Sequence, residues 1–190
     1  MKPMLIVIDM LVDFLKTWPD AERARIVDAI EQLTAAFHLA SHPIVWVRQE
    51  FKPNLSDAFV EMRRKRIAIT IKGTLGCRIV PELTRRPDDV EIVKRRYSAF
   101  FGTSLDNLVV DRAIDTVVLA GINTHACART TAIDAYQRDL EVVLPREAVG
   151  SYNKEHADIS LRYMDGKIAS VLGVDEIISL VANREVGLQD

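Results

Sequence analysis

Cysteine is scarce in this chain of 190 residues, with only Cys77 and Cys127 present. Two thiols are too few for a disulfide framework, and neither belongs to a C-x-x-C metal or redox pair. Histidine is nearly as rare: His38, His42, His125 and His156 are scattered without ligand spacing, which argues against a bound metal. Long apolar runs are missing, since the opening stretch 4–8 stops at Asp9, far short of a signal segment or the roughly 20 residues of a membrane span. Charge of one sign is missing too. The 25 Lys plus Arg oppose 27 Asp plus Glu, a net of −2 that argues against a general nucleic-acid binder. Glycine-rich phosphate loops do not occur: no G-x-G-x-x-G follows the first apolar run, and no loop ends in Gly-Lys-Ser/Thr. What is left, 48% apolar and 27% charged, has ordinary globular composition and suits a cytoplasmic protein with no membrane partner.

Apolar runs alternate with helical patterns along the whole length. Residues 4–8, 44–47, 90–93, 116–122 and 140–144 read as buried strands, and Ile177-Ile178 suits a final short one. Between the first two, Thr17-Trp-Pro-Asp20 predicts a capped helix start, and Ile26, Ile30, Leu33 and Phe37 recur at helical spacing. Thr103-x-x-Asp106 predicts another cap. Residues 125–138 contain neither Pro nor Gly and read as a helix. A further helix carries Leu161, Met164, Ile168 and Val171 up to Gly173. Strand–helix alternation of this kind predicts an α/β fold: one three-layer α/β/α domain over residues 1–190, with a mostly parallel, Rossmann-like sheet of about six strands.

A parallel sheet collects its chemistry at the carboxyl ends of its strands. Three ends carry reactive groups. The first strand runs into Asp9, the third ends at Lys94, and the 116–122 strand turns into a helix that starts near Cys127. The first turn of a helix has unpaired N–H groups and a positive dipole end, which favour a thiolate. Taken singly each residue has a plain structural reading: a buried small hydrophobe for Cys127, a turn cap for Asp9, a solvated charge for Lys94 beside Arg95 and Arg96.

Taken together the three positions resemble the isochorismatase-like cysteine hydrolases. The family's Asp-Met-x-x-Asp-Phe motif is similar to Asp9-Met-Leu-Val-Asp-Phe14. Its Lys ahead of an aromatic stretch and Gly-Thr is similar to Lys94-Arg-Arg-Tyr-Ser-Ala-Phe-Phe-Gly-Thr103. Its Gly-x-x-Thr-x-x-Cys is similar to Gly121-Ile-Asn-Thr-His-Ala-Cys127, and the Gly73-Thr-Leu-Gly76 turn also fits. The resemblance runs from Met4 to about Leu180. Two departures stand out. Leu11 and Val12 replace the usual Gln and Asn, and Val47-Arg-Gln-Glu-Phe51 lacks the Asp-x-His metal cluster of nicotinamidase-like members.

The resemblance implies a catalytic triad of Asp9, Lys94 and Cys127, a cis peptide at Ile122–Asn123, and an oxyanion hole from the backbone N–H groups of Asn123 and Cys127. It implies cleavage of a C–N bond (amide, carbamoyl, ureido or lactam) in a small molecule through a thioester, as in N-carbamoylsarcosine amidase-type enzymes, with no cofactor and no metal. It also implies a homodimer or homotetramer in which a neighbouring subunit partly closes the pocket. Phe14, Arg48, Glu50 and Phe100 lie near predicted strand ends and are candidate substrate contacts, though the aromatics equally suit core packing and Arg48 and Glu50 equally suit pairing with each other. Three other readings stand beside this one: a vinyl-ether hydrolase acting on isochorismate, which does not need the thiol, a non-catalytic binding module, and a redox-sensing thiol.

Overall fold

The computed structural model describes residues 1–182. In chain order the elements are β1 (Pro3–Ile8), α1 (Val12–Leu15), α2 (Asp20–Leu39), β2 (Ile44–Gln49), α3 (Val60–Lys65), β3 (Val90–Lys94), α4 (Leu105–Asp111) and β4 (Thr116–Ile122). A π-helical turn, Thr124–Ala128, leads into α5 (Arg129–Tyr136). Then come β5 (Glu141–Pro145), β6 (Val149–Gly150), α6 (Lys154–Met164), β7 (Ser170–Leu172) and α7 (Val174–Ala182).

Side chains on successive strand residues point to opposite faces, and that alternation builds the layers. Met4, Ile6 and Ile8 of β1 share a core with Leu105 and Val109 of α4, Ala132 and Ala135 of α5, and Met164 of α6. Leu5 and Val7 face the other way, onto Ile26, Ile30, Leu33 and Phe37 of α2 and onto Val174, Ile177 and Val181 of α7. Every residue of β1 and β4 is therefore buried. Seven strands pair in parallel in the order β3-β2-β1-β4-β5-β7, with the two-residue β6 alongside β4. The chain moves outward from β1 through β2 to β3, then returns to β4 on the other side of β1. The strand order reverses between β1 and β4, the place in a parallel sheet where ligands gather at the carboxyl ends.

The C-terminal expectation is corrected. Ile177 and Ile178 lie within α7, where Val174, Ile177 and Val181 form one buried helical stripe. Two adjacent β-branched residues imitate a strand locally, but the longer period decides. α6 stops at Met164, Gly166 turns the chain at φ +73°, and Val171 belongs to β7, tied back by its N–H to Asp165 Oδ1 at 3.0 Å. The two cap expectations are also revised. α2 begins after Pro19 with no side-chain cap, and Ser104 is the residue preceding α4, while Thr103 Oγ1 accepts the Leu105 N–H at 3.2 Å. Among the described residues no helix is long and apolar enough to cross a membrane.

Gly121 shows how closely the central strands meet near their carboxyl ends. It pairs with Ile8 at φ +104°, and a Cβ there would lie 2.0 Å from the Ile8 carbonyl oxygen. Backbone cannot yield as a flexible side chain would. Gly121→Ala is expected to cost about 2–4 kcal/mol from the overlap and the unfavourable φ. A urea midpoint equal to that of the unaltered protein would show that the strands separate freely.

Candidate active site

β1 ends at Ile8, and Asp9 adopts φ +54°, a left-handed conformation in which Asp is more at ease than most side chains. Its N–H donates to Val47 O at 2.8 Å and its carbonyl accepts the Leu11 N–H at 2.7 Å, so the turn is anchored on β2. The carboxylate lies over the end of β2, where Oδ1 accepts the Gln49 N–H at 2.8 Å. Gln49 pairs in register with Lys94, the last residue of β3. Lys94 Nζ stands 2.6 Å from Asp9 Oδ2, donates to Cys127 Sγ at 3.4 Å and to the Arg96 carbonyl at 3.1 Å. The Asp9 contact is close enough for an ion pair although Oδ2 takes no well-directed hydrogen bond. Asp9 and Lys94 are 0% exposed and Cys127 is 4% exposed, so the three groups meet in a site nearly closed to water.

Burial disfavours the Lys94 ammonium, but the charges of Asp9 and Cys127 more than offset it and its pKa is raised. Cys127 behaves differently. Burial and the Asp9 carboxylate push its thiol up to about 12, and Lys94 offsets only part of that. Burial and Asp9 thus favour the neutral thiol, against the helix-end effect that favours a thiolate. An overall neutral triad is the form that a dry pocket favours.

Cys127 sits in a π-helical turn rather than in the first turn of a regular helix. The Asn123 carbonyl accepts the N–H groups of Ala126 at 3.0 Å and Ala128 at 3.1 Å, stepping over that of Cys127. The Ile122–Asn123 peptide bond is cis. Thr131 Oγ1 ties the far end of the turn, donating to Cys127 O at 2.7 Å and accepting the Ala99 N–H at 3.0 Å.

The candidate substrate contacts are dispersed. Phe14 packs against the core on the α2 side of the sheet. Phe100 is buried in the core cluster that contains Cys127, with the Arg138 guanidinium 4.4 Å from its ring centroid. Arg48 bonds Glu50 Oε2 at 2.6 Å and Glu91 Oε1 at 2.7 Å, so the pairing alternative is the one realised. Burial lowers the Arg48 pKa and the two carboxylates more than restore it. With Cys77, Arg48 and Glu50 line a separate cavity of about 440 Å³. Cys77 Sγ donates to Thr74 O at 3.3 Å and lies 3.8 Å from Glu50 Oε2. Among the described residues no group of three or more His, Cys, Asp or Glu is placed to hold a metal ion.

Sequence reasoning missed several members of the site. The Gln49 N–H and the Arg96 carbonyl are backbone groups, which residue identity does not reveal. Tyr97, which the sequence does offer as one of several aromatics near strand ends, follows that carbonyl directly, and burial, then the nearby Cys127 charge, raise its pKa. Ser151 and Tyr152 reach the turn that carries Cys127 from the end of β6, 26 and 29 residues away from the groups they touch.

A family profile described as "Isochorismatase domain" matches residues 3–176. A maleamate amidohydrolase from Pseudomonas putida is 28% identical over 176 residues, covering 90% of this chain and 83% of the relative. A Pseudomonas chlororaphis protein described as "Probable isochorismatase" is 26% identical over 178 residues, 93% of this chain and 85% of the relative. Among solved structures, the N-carbamoylsarcosine amidase of Thermoplasma acidophilum superposes with a TM-score of 0.78 at 29% identity, covering 92% of this chain and 98% of that one.

Proposed function

The chain belongs to the isochorismatase family of hydrolases, and on that premise we propose that it is a cysteine-dependent enzyme cleaving the C–N bond of a small amide-type substrate through a thioester. One observation carries the reading: a buried ammonium, Lys94 Nζ, lies between a carboxylate at 2.6 Å and a thiol at 3.4 Å. Asp9 takes the thiol proton as Sγ attacks the carbonyl carbon. The proton converts Asp9 into a neutral acid, leaving the Lys94 ammonium facing the charge on sulfur, so the net charge of the triad is unchanged. The oxyanion develops toward the N–H groups of Asn123 and Cys127, the second of which the Asn123 carbonyl leaves aside. Asp9 then returns its proton to the departing nitrogen, the C–N bond breaks, and the acyl group stays on Sγ. Water, deprotonated by Asp9, attacks the thioester and releases a carboxylic acid and the thiol. No step calls for a cofactor or a metal.

Small primary amides, carbamoyl compounds, ureido acids and lactams, assayed for release of ammonia or amine, test the reading. Cleavage of at least one class is expected, with rates unchanged by chelators. The vinyl-ether alternative leaves Sγ without a task. Isochorismate hydrolysis with all amides inert, or activity lost on removal of a tightly held metal, would overturn the amide reading. We also propose a cytoplasmic location and a homodimer or homotetramer whose neighbouring subunit covers part of the site. Tyr97, Phe101 and Tyr152 are 50%, 65% and 74% exposed in the single chain, apolar surface that such a neighbour would cover. Light scattering is expected to show an oligomer, and a fully active species of 21.4 kDa would remove the shared-site idea.

A further inference from the structure

We propose that Ser151 is a positioning residue that latches the catalytic turn to the sheet and so holds the oxyanion-binding N–H groups in place. This inference rests on the amide-hydrolase reading for its catalytic consequence, though not for its geometry. Ser151 directly follows Gly150 of β6, the strand that pairs with Ile122 at the end of β4. Its side chain turns inward, and the residue is 7% exposed. Ser151 Oγ lies 3.4 Å from the His125 main-chain nitrogen, from which it accepts, and 2.9 Å from His125 Nδ1. A hydroxyl has one proton to give and two lone pairs. Accepting from the main chain while donating to Nδ1 satisfies both contacts, with the imidazole assigned as the Nε2–H tautomer. Burial and then His156 lower the His125 pKa, in keeping with a neutral ring.

The next residue adds a second point of attachment. The Tyr152 N–H donates to Asn123 Oδ1 at 3.4 Å, and the Tyr152 ring meets the His125 ring edge-on at 5.1 Å. The dipeptide thus grips Asn123 and His125, the residues on either side of Thr124 at the start of the turn. Bonds from the Asn123 carbonyl to Ala126 and Ala128 lie within the turn itself and do not fasten it to the rest of the fold. Thr131 secures only the far end, at Cys127 O. Ser151 therefore anchors the turn from the β6 side at His125, two residues before the nucleophile. A mispositioned donor is felt in the transition state much more than in substrate binding.

Ser151→Ala in the full-length protein is expected to lower kcat about 10- to 100-fold, the scale of a small misplacement of reacting groups. KM is expected to stay within about twofold, as uniform binding is not the interaction removed. Ser151→Thr, which restores the hydroxyl, is expected to recover most of kcat. A substrate-free arm measures alkylation of Cys127 by iodoacetamide at pH 9, resolved from Cys77 by peptide mapping. A loosened turn is expected to speed alkylation severalfold in Ser151→Ala, with Ser151→Thr near the unaltered protein. Unchanged kcat and unchanged alkylation in Ser151→Ala would overturn the latch. So would parallel changes in kcat and KM with a lowered Tm that threonine does not rescue, since that pattern marks a purely structural role. Failure of the amide-hydrolase reading looks different: no amide is turned over by the unaltered protein, yet the alkylation response to Ser151→Ala persists.

Discussion

Replacing Cys127 by alanine is expected to reduce amide turnover by roughly 10⁴-fold or more, the scale on which loss of a nucleophile abolishes covalent catalysis. The fold should survive. Cys127 is a small side chain in an otherwise apolar cluster, and removing its sulfur costs on the order of 1 kcal/mol. Serine is expected to fare little better than alanine. Even the thiol is held up to about 12 by burial and by Asp9, and an aliphatic hydroxyl in the same place is a much weaker acid. Steady-state rates alongside denaturation curves check both halves of the expectation. Most of the activity surviving in Cys127→Ala would remove nucleophilic catalysis and favour the vinyl-ether reading.

The partners of Cys127 are expected to separate when reactivity and turnover are measured together. Lys94→Met strips the thiolate of its cation and leaves the Asp9 carboxylate buried without a counter-charge. The unpaired charge is expected to cost about 3–5 kcal/mol of stability. The Cys127 pKa rises further, and each unit lowers the thiolate fraction tenfold, so alkylation at pH 9 should fall about tenfold or more. Asp9→Asn acts in the opposite direction on the thiol. It removes the neighbouring negative charge that helps to push Cys127 up, so alkylation should become faster. Turnover should still collapse, because the acceptor of the thiol proton is gone. A reactive thiol in an inactive enzyme is a combination that a purely structural Asp9 would not give. If Asp9→Asn slows alkylation, the charge arrangement described for the site is wrong.

The same charges set the sign of the alkaline response. Lys94 has a raised pKa in the folded protein, so its contribution is complete below the ordinary lysine value and fades as pH climbs through the folded one. The Cys127 thiol, ordinarily near 9.0, is held to about 12, so over that interval the folded chain keeps a proton that the unfolded chain gives up. Both groups therefore make stability fall as pH rises, Cys127 from about 9 and Lys94 from about 10.5.

Much of the sheet was legible because β1 and β4 are buried on both faces and read as continuous β-branched runs. The meeting of Asp9, Lys94 and Cys127 was legible because Asp9 and Lys94 stand at strand ends and Cys127 lies in the turn that follows another. Geometry beyond strand ends was not. Whether Cys127 rests as thiol or thiolate depends on a balance between desolvation, Asp9 and Lys94 that exists only once the three side chains are buried together. The mutual engagement of Arg48 and Glu50 and the burial of Phe100 turn on packing, for which adjacency in sequence gives no measure. At the C-terminal end, Ile177-Ile178 misled because two residues cannot distinguish a period of 2 from one of 3.6. The contact of Ser151 with His125 joins residues 26 apart with no spacing rule between them.

Rapid quenching of the enzyme during turnover of a cleaved amide, followed by peptide mass analysis, tests the central claim most directly. The proposed chemistry predicts an acyl adduct on the peptide containing Cys127, none on that containing Cys77, and capture of the acyl group as a hydroxamate when hydroxylamine competes with water. Steady turnover with no adduct at any quench time and no hydroxamate would contradict the thioester and, with it, the role assigned to Cys127.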